Sequence, residues 1–274
     1  MIEQAEKIMA EIRIGTSGYD YLDWKDSFYP SGIDRTEFLS HYSRNFTTVE
    51  LNFSYYRMPS ARQLAGIKER AGSLLDFSIK AHESLTHKID HASWKDSARA
   101  FRAALAPLLE ADRLSAVLLQ FPFSFHYQPE NRRYLDRLLA EMQGLPLVAE
   151  FRGADWLNNR VFDALRERGV GYCSVDAPQL KGLPPSLDVV TSSLAYIRFH
   201  GRNEKNWWGS DAAARFDYLY KEDELKGWIA RIKSMAQSTR KVRIYFNNHS
   251  RGQAPANAIL LKRLLSEEGV PGLF

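Results

Sequence analysis

Charged and polar side chains alternate with apolar ones along several short segments of this sequence. In the stretch AYIRFHGRN, Arg198 and His200 alternate with Ile197 and Phe199. The ionisable residues placed in this way are Glu50, Lys80, Glu150, Arg152, Asp176, Arg198 and His200. Because successive residues of a β-strand point to opposite faces, these side chains could gather at one site if their strands were neighbours. Their types indicate proton transfer, anion binding or metal binding.

The cationic members of this set favour a site for an anionic substrate, because arginine forks suit phosphate and carboxylate groups. The side chains that could converge are Lys80, Arg152, Arg198 and Arg202, with His82 and His200 beside them. The turn GTSG at residues 15–18 could add backbone N–H groups, although a simple tight turn also explains it. His200 could be a general acid or base oriented by Asp176 or Glu150, or a hydrogen-bonded core histidine.

The acidic members make a divalent metal an alternative. The residues of types that bind zinc, manganese or magnesium are Glu50, Glu150, Asp176 and His200. A metal held by Glu150, Asp176 and His200 would activate water. However, lysine and arginine side chains could occupy these carboxylates, and the sequence has no HxH or HExxH motif. The sequence therefore identifies no cofactor and leaves a divalent metal open.

Two other chemistries depend on single members of the set. Lys80, held among cations, could have a lowered pKa and form a Schiff base, although no diagnostic motif accompanies it. Glu50 and Glu150 could be the two carboxyl groups of a retaining glycosidase, but the surrounding arginine and lysine residues disfavour a neutral sugar.

Aromatic residues near the same segments allow nucleic-acid binding. They are Tyr19, Tyr21, Trp24, Tyr55, Tyr56, Phe123, Phe125, Trp156, Trp207 and Trp208. Aromatics interleaved with Arg202 and Lys205 could stack on bases and meet phosphates, although most of them could equally pack loops against each other. Trp207 and Trp208, in the polar stretch GRNEKNWWGS, are the aromatics most expected to be exposed.

The elements that must position these residues follow a regular rhythm. Strands are predicted at residues 12–18, 47–54, 76–84, 116–122, 147–152, 171–177, 194–201 and 241–248. Helical patterns occupy residues 34–44, 60–71, 94–109, 129–142, 158–168, 222–235 and 255–268. The sixth gap, APQLKGLPPSLDVVTSS, lacks a helical pattern because of its prolines. Eight strands alternating with helices over this length predict a (β/α)₈ TIM barrel with the sixth helix short or missing, as a single domain over residues 1–274.

In a barrel, alternate strand residues face either the helices or the interior. The apolar sets must face the helices, so the polar sets point inward, including Tyr172, Ser174 and Asp176 of the sixth strand. The residues nearest the carboxyl ends of the strands are Asn52, His82, Gln120, Arg152, Asp176, His200 and Asn247. An ion-pair core is the alternative, but buried ion pairs give little net stability relative to apolar packing. A ligand or catalytic site at the mouth of the barrel is therefore favoured.

Composition and charge limit the class of protein and the partners that this sequence can have. Of the 274 residues, 45% are hydrophobic and 26% are charged, as in ordinary globular proteins. The net charge of +4 is compatible with an anionic partner without indicating one. The single Cys173 excludes an internal disulfide framework. The N-terminus lacks the pattern of a signal peptide, and no apolar run approaches the ~18 residues of a membrane span, so we expect a cytoplasmic protein without a membrane partner.

These segments resemble the YecE-like family, also called domain of unknown function 72. The matching pieces are IRIGTSGY…W, FYP, FTTVELNFSYYRMP, FSIKAHESLTH, LLQFP, AEFR, YIRFHGRN and FNNH…A, which together span nearly the whole chain. One departure is Tyr19, where the family pattern usually has tryptophan. The resemblance implies a TIM barrel and leaves the biochemical role open.

Together, the residues predict an enzyme that performs hydrolysis or acid–base chemistry on a small anionic or phosphorylated substrate. The predicted catalytic residues are Glu50, Lys80, Glu150, Asp176 and His200. The predicted substrate-binding residues are Tyr19, Asn52, His82, Arg152, Arg198, Arg202, Trp207, Asn247 and Asn248. The alternative is a non-catalytic barrel that binds nucleic acid or another anion. The sequence does not indicate an oligomeric state.

Overall fold

A computed structural model describes residues 10–270 of the chain. Part of the N-terminal segment judged to lack a signal peptide, and both ends of the predicted domain, lie outside the described residues. Among the helices of residues 10–270, none combines the length and the apolar character needed to cross a membrane.

Eight parallel strands form the centre of the described chain. They are β1 (Glu11–Thr16), β2 (Thr48–Leu51), β3 (Asp76–Lys80), β4 (Leu114–Phe121), β5 (Leu147–Phe151), β6 (Gly171–Asp176), β7 (Leu194–Phe199) and β8 (Lys241–Phe246). Hydrogen bonds join them in the order β1-β8-β7-β6-β5-β4-β3-β2. The two end strands meet where Ser17 bridges Glu50 and the Gly18 N–H donates to the Glu50 carbonyl oxygen at 2.7 Å. The predicted (β/α)₈ barrel is therefore confirmed.

Helices surround the strands as the sequence predicts, except that the helix predicted over residues 94–109 is divided into two. They are α1 (Phe38–Asn45), α2 (Phe53–Tyr56), α3 (Ala61–Arg70), α4 (Trp94–Ala104), α5 (Ala106–Leu109), α6 (Pro129–Glu141), α7 (Asn159–Glu167), α8 (Ala212–Arg215), α9 (Glu222–Gln237) and α10 (Gln253–Glu267). Helix α3 begins with a capping box between Ser60 and Gln63. No helix lies in residues 177–193, which confirms the missing sixth helix. The short helices α2 and α8 were not predicted, because four residues carry no readable period.

The barrel interior and the layer between the barrel and the helices contain separate hydrophobic clusters. Residues such as Ile197, Phe199 and Phe246 belong to the large cluster between barrel and helices. A small inner cluster contains Ala116, Leu118, Val148, Cys173, Val175, Leu194, Tyr196 and Tyr245. The inward polar sets predicted for the other strands agree with this division, but β6 is reversed. Cys173 and Val175 point inward, whereas Tyr172 packs against Phe162 of α7, with ring centroids 5.2 Å apart.

The amino-terminal end of the barrel is closed by an ion-pair network. Arg243 is buried and donates from Nε to Asp76 Oδ2 at 3.0 Å and to Ser115 Oγ at 2.7 Å. A layer above it, the Tyr245 hydroxyl contacts Thr48 Oγ1 at 2.5 Å and Ser78 Oγ at 2.8 Å. Buried side chains with hydrogen-bond partners therefore fill this end of the barrel interior.

The seam between β1 and β2 depends on a residue without a side chain. The Tyr42 hydroxyl accepts from the Thr16 N–H at 2.9 Å and donates to the Thr48 carbonyl oxygen at 3.0 Å. A Cβ atom at Gly15 would lie 2.1 Å from that carbonyl oxygen and 2.9 Å from the Tyr42 hydroxyl. The strands can approach this closely only because Gly15 has no Cβ atom.

We therefore expect Gly15→Ala to lower the free energy of unfolding by about 1–3 kcal/mol, the usual cost of overpacking. Urea denaturation at pH 7 measures the change. Gly227→Ala is the matched control, because Gly227 is exposed in α9 and a Cβ there meets nothing within 4 Å. The control should be neutral or more stable by up to about 1 kcal/mol. Equal effects of the two substitutions would contradict this account of the seam.

Candidate functional site

A cavity of about 810 Å³ opens at the carboxyl ends of the strands. Its lining combines cations, aromatic rings and amide side chains. The lining residues are Tyr21, Asn52, Tyr55, Tyr56, Lys80, His87, Gln120, Pro122, Phe123, Arg152, Leu183, Arg198, Trp207, Trp208, Asp211, Ala212, Ala213, Arg215, Phe216, Asn247 and His249. The site lies where active sites of this fold are built.

The floor of the cavity is centred on Arg198. This arginine is buried at the end of β7 and donates from Nη1 to Glu150 Oε2 at 2.6 Å and from Nη2 to Glu50 Oε1 at 2.7 Å. The Tyr196 hydroxyl donates to the other oxygen of Glu50 at 2.7 Å. Both carboxylates are fully buried, so Arg198 is held by a fixed pair of acceptors, and it is one of the residues that line the cavity.

Glu150 of β5 is the point where several charges meet. Its Oε1 lies 2.7 Å from Arg152 Nε and 3.3 Å from His200 Nε2. The His200 contact is not aligned as a hydrogen bond. Burial opposes ionisation of the carboxyl, but the positive charges of Arg152 and Arg198 outweigh burial and hold the Glu150 pKa well below its usual value of 4.5. Glu150 is therefore a fixed negative charge at neutral pH.

His200 lies beneath the cavity surface rather than in its lining. It is fully buried, and its Nδ1 is 3.1 Å from the side-chain nitrogen of Asn247. Burial, followed by the nearby charge of Arg152, lowers the His200 pKa to about 3. At neutral pH the ring is uncharged and lies between Glu150 and Asn247.

Lys80 stands at the end of β3 with its amino group beside the ring of Tyr55, 4.1 Å from the centroid. Within residues 10–270, no carboxylate oxygen lies within 4 Å of this amino group. Burial, and then the charges of Arg198 and Arg152, lower the Lys80 pKa to about 7, although Glu150 and Glu50 act in the opposite direction. A substantial share of Lys80 is therefore an uncharged amine at neutral pH.

The cavity lining carries more positive than negative charge. Its cations are Lys80, Arg152, Arg198 and Arg215, whereas Asp211 is the one acidic side chain among the described lining residues. The Nε atoms of Arg198 and Arg215 are buried and make no hydrogen bond to residues 10–270. Unused buried donors are costly unless a ligand satisfies them. The lining is therefore suited to an anion.

Aromatic rings form the walls and rim. Trp208 is 52% exposed and contacts Phe123, with ring centroids 5.2 Å apart. Tyr56 is exposed as well. Trp207 is buried, with the Arg152 guanidinium carbon 5.8 Å from its ring centroid. The predicted exposure is thus confirmed for Trp208 and wrong for Trp207, whose ring packs under the arginine.

Asp176 is not in the cavity. Because β6 has the reversed orientation, its carboxylate faces α9 and accepts four hydrogen bonds. The donors are Arg202 Nε at 2.8 Å, Arg202 Nη2 at 2.6 Å, the Tyr220 hydroxyl at 2.8 Å and Trp228 Nε1 at 2.8 Å. The structure therefore places both Asp176 and Arg202 in an anchor behind the barrel wall.

Other predicted binding residues also lie outside the lining. The His82 ring caps a short 3₁₀ turn, with Nδ1 2.8 Å from Ser84 Oγ. Tyr19 packs against the outer core. Asn248 is buried and donates to Asn257 Oδ1 at 2.8 Å. Asn52 and Asn247 do line the cavity, together with Arg152, Arg198 and Trp207.

Several lining residues were not predicted, because they lie in loops or at the end of the four-residue helix α8, where the sequence carries no periodic signal. They are His87, Arg215, Phe216 and His249, while Tyr21 was noted only as one of several aromatics. The His87 ring meets that of Tyr55, with centroids 4.8 Å apart, and burial together with Lys80 lowers its pKa to about 4. The family-like segment FSIKAHESLTH was the available signal for His87.

The predicted metal set does not assemble. Asp176 faces away from Glu150 and His200, and residues 10–270 contain no group of three or more histidine, cysteine, aspartate or glutamate side chains that could hold a metal ion. The carboxylates of Glu50 and Glu150 are instead occupied by arginines. These residues do not fit a metal centre, and we derive no step through one.

The sequence matches a family model and is similar to a protein of Bacillus subtilis. A family model described as "Protein of unknown function DUF72" matches residues 13–272. The UPF0759 protein YunF of Bacillus subtilis (strain 168) is 29% identical over 273 residues, covering 94% of this chain and 95% of that protein.

Solved structures give the same result. A DUF72 family protein of Thermotoga maritima MSB8, TM1631, superposes with a TM-score of 0.87 at 35% identity, covering 93% of this chain and 99% of that one. A DUF72 family protein of Enterococcus faecalis V583, EF0366, superposes with a TM-score of 0.82 at 26% identity, covering 93% and 95%.

Proposed function

The chain belongs to the DUF72 family of proteins of unknown function, also called YecE-like, and from this premise we propose that it is an enzyme for a small anionic or phosphorylated substrate. The reaction is hydrolysis or proton transfer at the mouth of the barrel. The observation that carries the proposal is Lys80, an amino group that has no carboxylate partner within residues 10–270 and that shares one cavity with Arg152 and Arg198.

Each part of the cavity has a role in this proposal. Arg152 and Arg198 bind the anionic group, since guanidinium forks match phosphate and carboxylate oxygens. Lys80 accepts the proton, because a base with a pKa near the working pH is the most effective. Glu50 and Glu150 hold Arg198 in place and do not touch the substrate. Among the predicted catalytic residues, this leaves Lys80 as the proton acceptor and makes His200 a positioning residue.

We expect inorganic phosphate and pyrophosphate to raise the melting temperature of the protein, and Arg152→Met to weaken their binding roughly 10- to 100-fold. Arg152 is close to Glu150 and Trp207, so it is held toward the cavity rather than free in solvent. Titration calorimetry measures the affinities. The control is Arg133→Met, which removes the same charge from an exposed residue of α6 that is not among the described lining residues of the cavity. Equal weakening by both variants would show a general charge effect and contradict the site.

The exposed rim favours a second candidate, a barrel that binds nucleic acid without turnover. Trp208, Phe123 and Tyr56 present aromatic surface beside the cations, and base stacking on such rings is sequence-tolerant. This candidate requires oligonucleotide affinity that falls steeply with salt. If oligonucleotides bind in that way while phosphate and pyrophosphate do not, the second candidate replaces the first.

A further inference from the structure

We propose that Lys80 is a covalent nucleophile that forms a Schiff base with a small aldehyde or ketone bearing a carboxylate or phosphate group. The inference rests on the proposed function, because the arginines that bind the anion must also hold the carbonyl carbon beside Lys80. It narrows the substrate class to anionic carbonyl compounds.

The position of Lys80 meets the geometric requirement for such a nucleophile. The Lys80 carbonyl oxygen accepts a hydrogen bond from Ser54 Oγ at 2.7 Å, so the strand end is fixed while the amino group projects into the cavity. Other lysines are engaged at the surface: Lys88 contacts Glu83 at 2.9 Å and Lys226 contacts Glu222 at 2.8 Å. Lys80 is the lysine that lines the cavity, and no described carboxylate lies within 4 Å to hold it in the ammonium form.

The charges around Lys80 favour the reactive form of the amine. The charged groups that act on it are Arg198 of β7, Glu150 of β5, Arg152 directly after β5, and Glu50 of β2. The two carboxylates are already bound to Arg198. The lowering of the Lys80 pKa by burial and by the arginines therefore exceeds the raising by these carboxylates. His87, on the loop after β3, has a pKa lowered to about 4 and is neutral at pH 7. An uncharged lysine in such surroundings is the usual activated amine of Schiff-base chemistry.

The condensation is balanced without any further reactant. The nitrogen lone pair of Lys80 forms the bond to the carbonyl carbon, and the carbonyl π electrons move to its oxygen. One proton then passes from nitrogen to oxygen and gives a neutral carbinolamine. The nitrogen lone pair next expels the oxygen, which takes one proton from solvent and leaves as water. The product is a protonated imine, whose single positive charge replaces that of the lysine ammonium ion.

Reductive trapping tests the inference on the full-length protein. The protein is incubated with pyruvate, glyoxylate or dihydroxyacetone phosphate and sodium cyanoborohydride, and the adducts are measured by intact mass and peptide mapping. We expect one adduct on Lys80, formed roughly tenfold faster with dihydroxyacetone phosphate than with uncharged dihydroxyacetone, the factor that one charge-assisted hydrogen bond supplies. The adduct should be absent in Lys80→Met and unchanged in Lys88→Met.

Two results would overturn the inference: adducts spread over exposed lysines at the rate seen with dihydroxyacetone, or an adduct that persists in Lys80→Met. Peptide mapping of the wild-type protein decides the question even if Lys80→Met does not fold. Phosphate binding separates this inference from the function on which it rests. If phosphate binds and Lys80 is not trapped, the Schiff base fails alone. If phosphate does not bind and Lys80 is not trapped, both fail.

Discussion

Replacing Arg198 with methionine should lower the free energy of unfolding by about 3–5 kcal/mol, the usual cost of removing one partner from a buried ion pair. The guanidinium lies between Glu50 and Glu150 at 2.7 and 2.6 Å, and both carboxylates are fully buried. Methionine fills a similar volume but leaves both acids without their shared cation. Urea denaturation at pH 7 measures the loss.

The Arg198 effect should exceed that of an exposed pair and should depend on pH. Arg251→Met is the control, because Arg251 pairs with Asp217 at the surface and its loss should cost no more than about 1 kcal/mol. The Glu150 pKa is lowered in the folded protein, so its contribution is present above pH 4.5 and is lost as the pH falls through the folded pKa. The gap between wild type and Arg198→Met should therefore narrow in acid. A loss at pH 7 no larger than that of the control would contradict the buried network.

The position of Arg198 shows what alternation along a strand can predict. Ala195, Ile197 and Phe199 are uniformly small or apolar, so Arg198 could only face the barrel interior. Its binding to Glu50 and Glu150, two acids on distant strands, followed from the closed barrel rather than from local sequence. The open question was which acid each cation would contact, because pairing depends on side-chain reach across the barrel and not on period.

Replacing Asp176 with alanine should lower the free energy of unfolding by about 2–5 kcal/mol, because it leaves several buried donors without an acceptor. The Tyr220 hydroxyl and Trp228 Nε1 both lose their partner, and Arg202 loses a two-point contact. Asp176→Asn should lose less, since one side-chain oxygen remains to accept. Thermal and urea unfolding measure both variants.

The Asp176 prediction separates an anchor from a catalytic acid. Asp188→Ala is the control, because Asp188 pairs with Arg231 near the surface and its loss should cost no more than about 1 kcal/mol. Phosphate affinity of the folded Asp176→Asn variant should remain within roughly threefold of wild type, since the carboxylate faces away from the cavity. If Asp176→Asn is stable but no longer binds phosphate, the Asp176 carboxylate takes part in the binding site and this prediction is wrong.

Asp176 also shows where sequence reasoning fails for this fold. In β6, one face carries Tyr172, Ser174 and Asp176, and the other carries Cys173 and Val175. Neither set is strongly apolar, so either could face the barrel interior. The rule that the polar set faces inward gave the wrong orientation for this strand. The deciding contacts are with Tyr220 and Trp228, which lie more than forty residues further along the chain. Only the packing of α9 onto the barrel reveals them.

The cavity walls were less predictable than its floor for a related reason. Lys80 ends β3 and Arg152 directly follows β5, so the barrel sets their positions, whereas Arg215 and Phe216 lie in the long segment between β7 and α9, whose one helix, α8, has four residues. A loop carries no period from which a side-chain direction can be read. The aromatic stretch around Trp208 indicated a surface feature, but its contact with Phe123 depends on how that loop folds over the mouth.

Because no carboxylate of residues 10–270 lies within 4 Å of the Lys80 amino group, anion binding in the cavity is coupled to protonation of this amine. The amine has a pKa of about 7 instead of 10.5, and an anion that has no carbonyl group to react, such as phosphate, would shift that value back upward when seated beside it. Between these two pH values, an anion that binds there draws a proton from solvent with it. In that range the proton is a second ligand whose concentration is set by the solution pH. Anion binding should therefore weaken as the solution becomes alkaline.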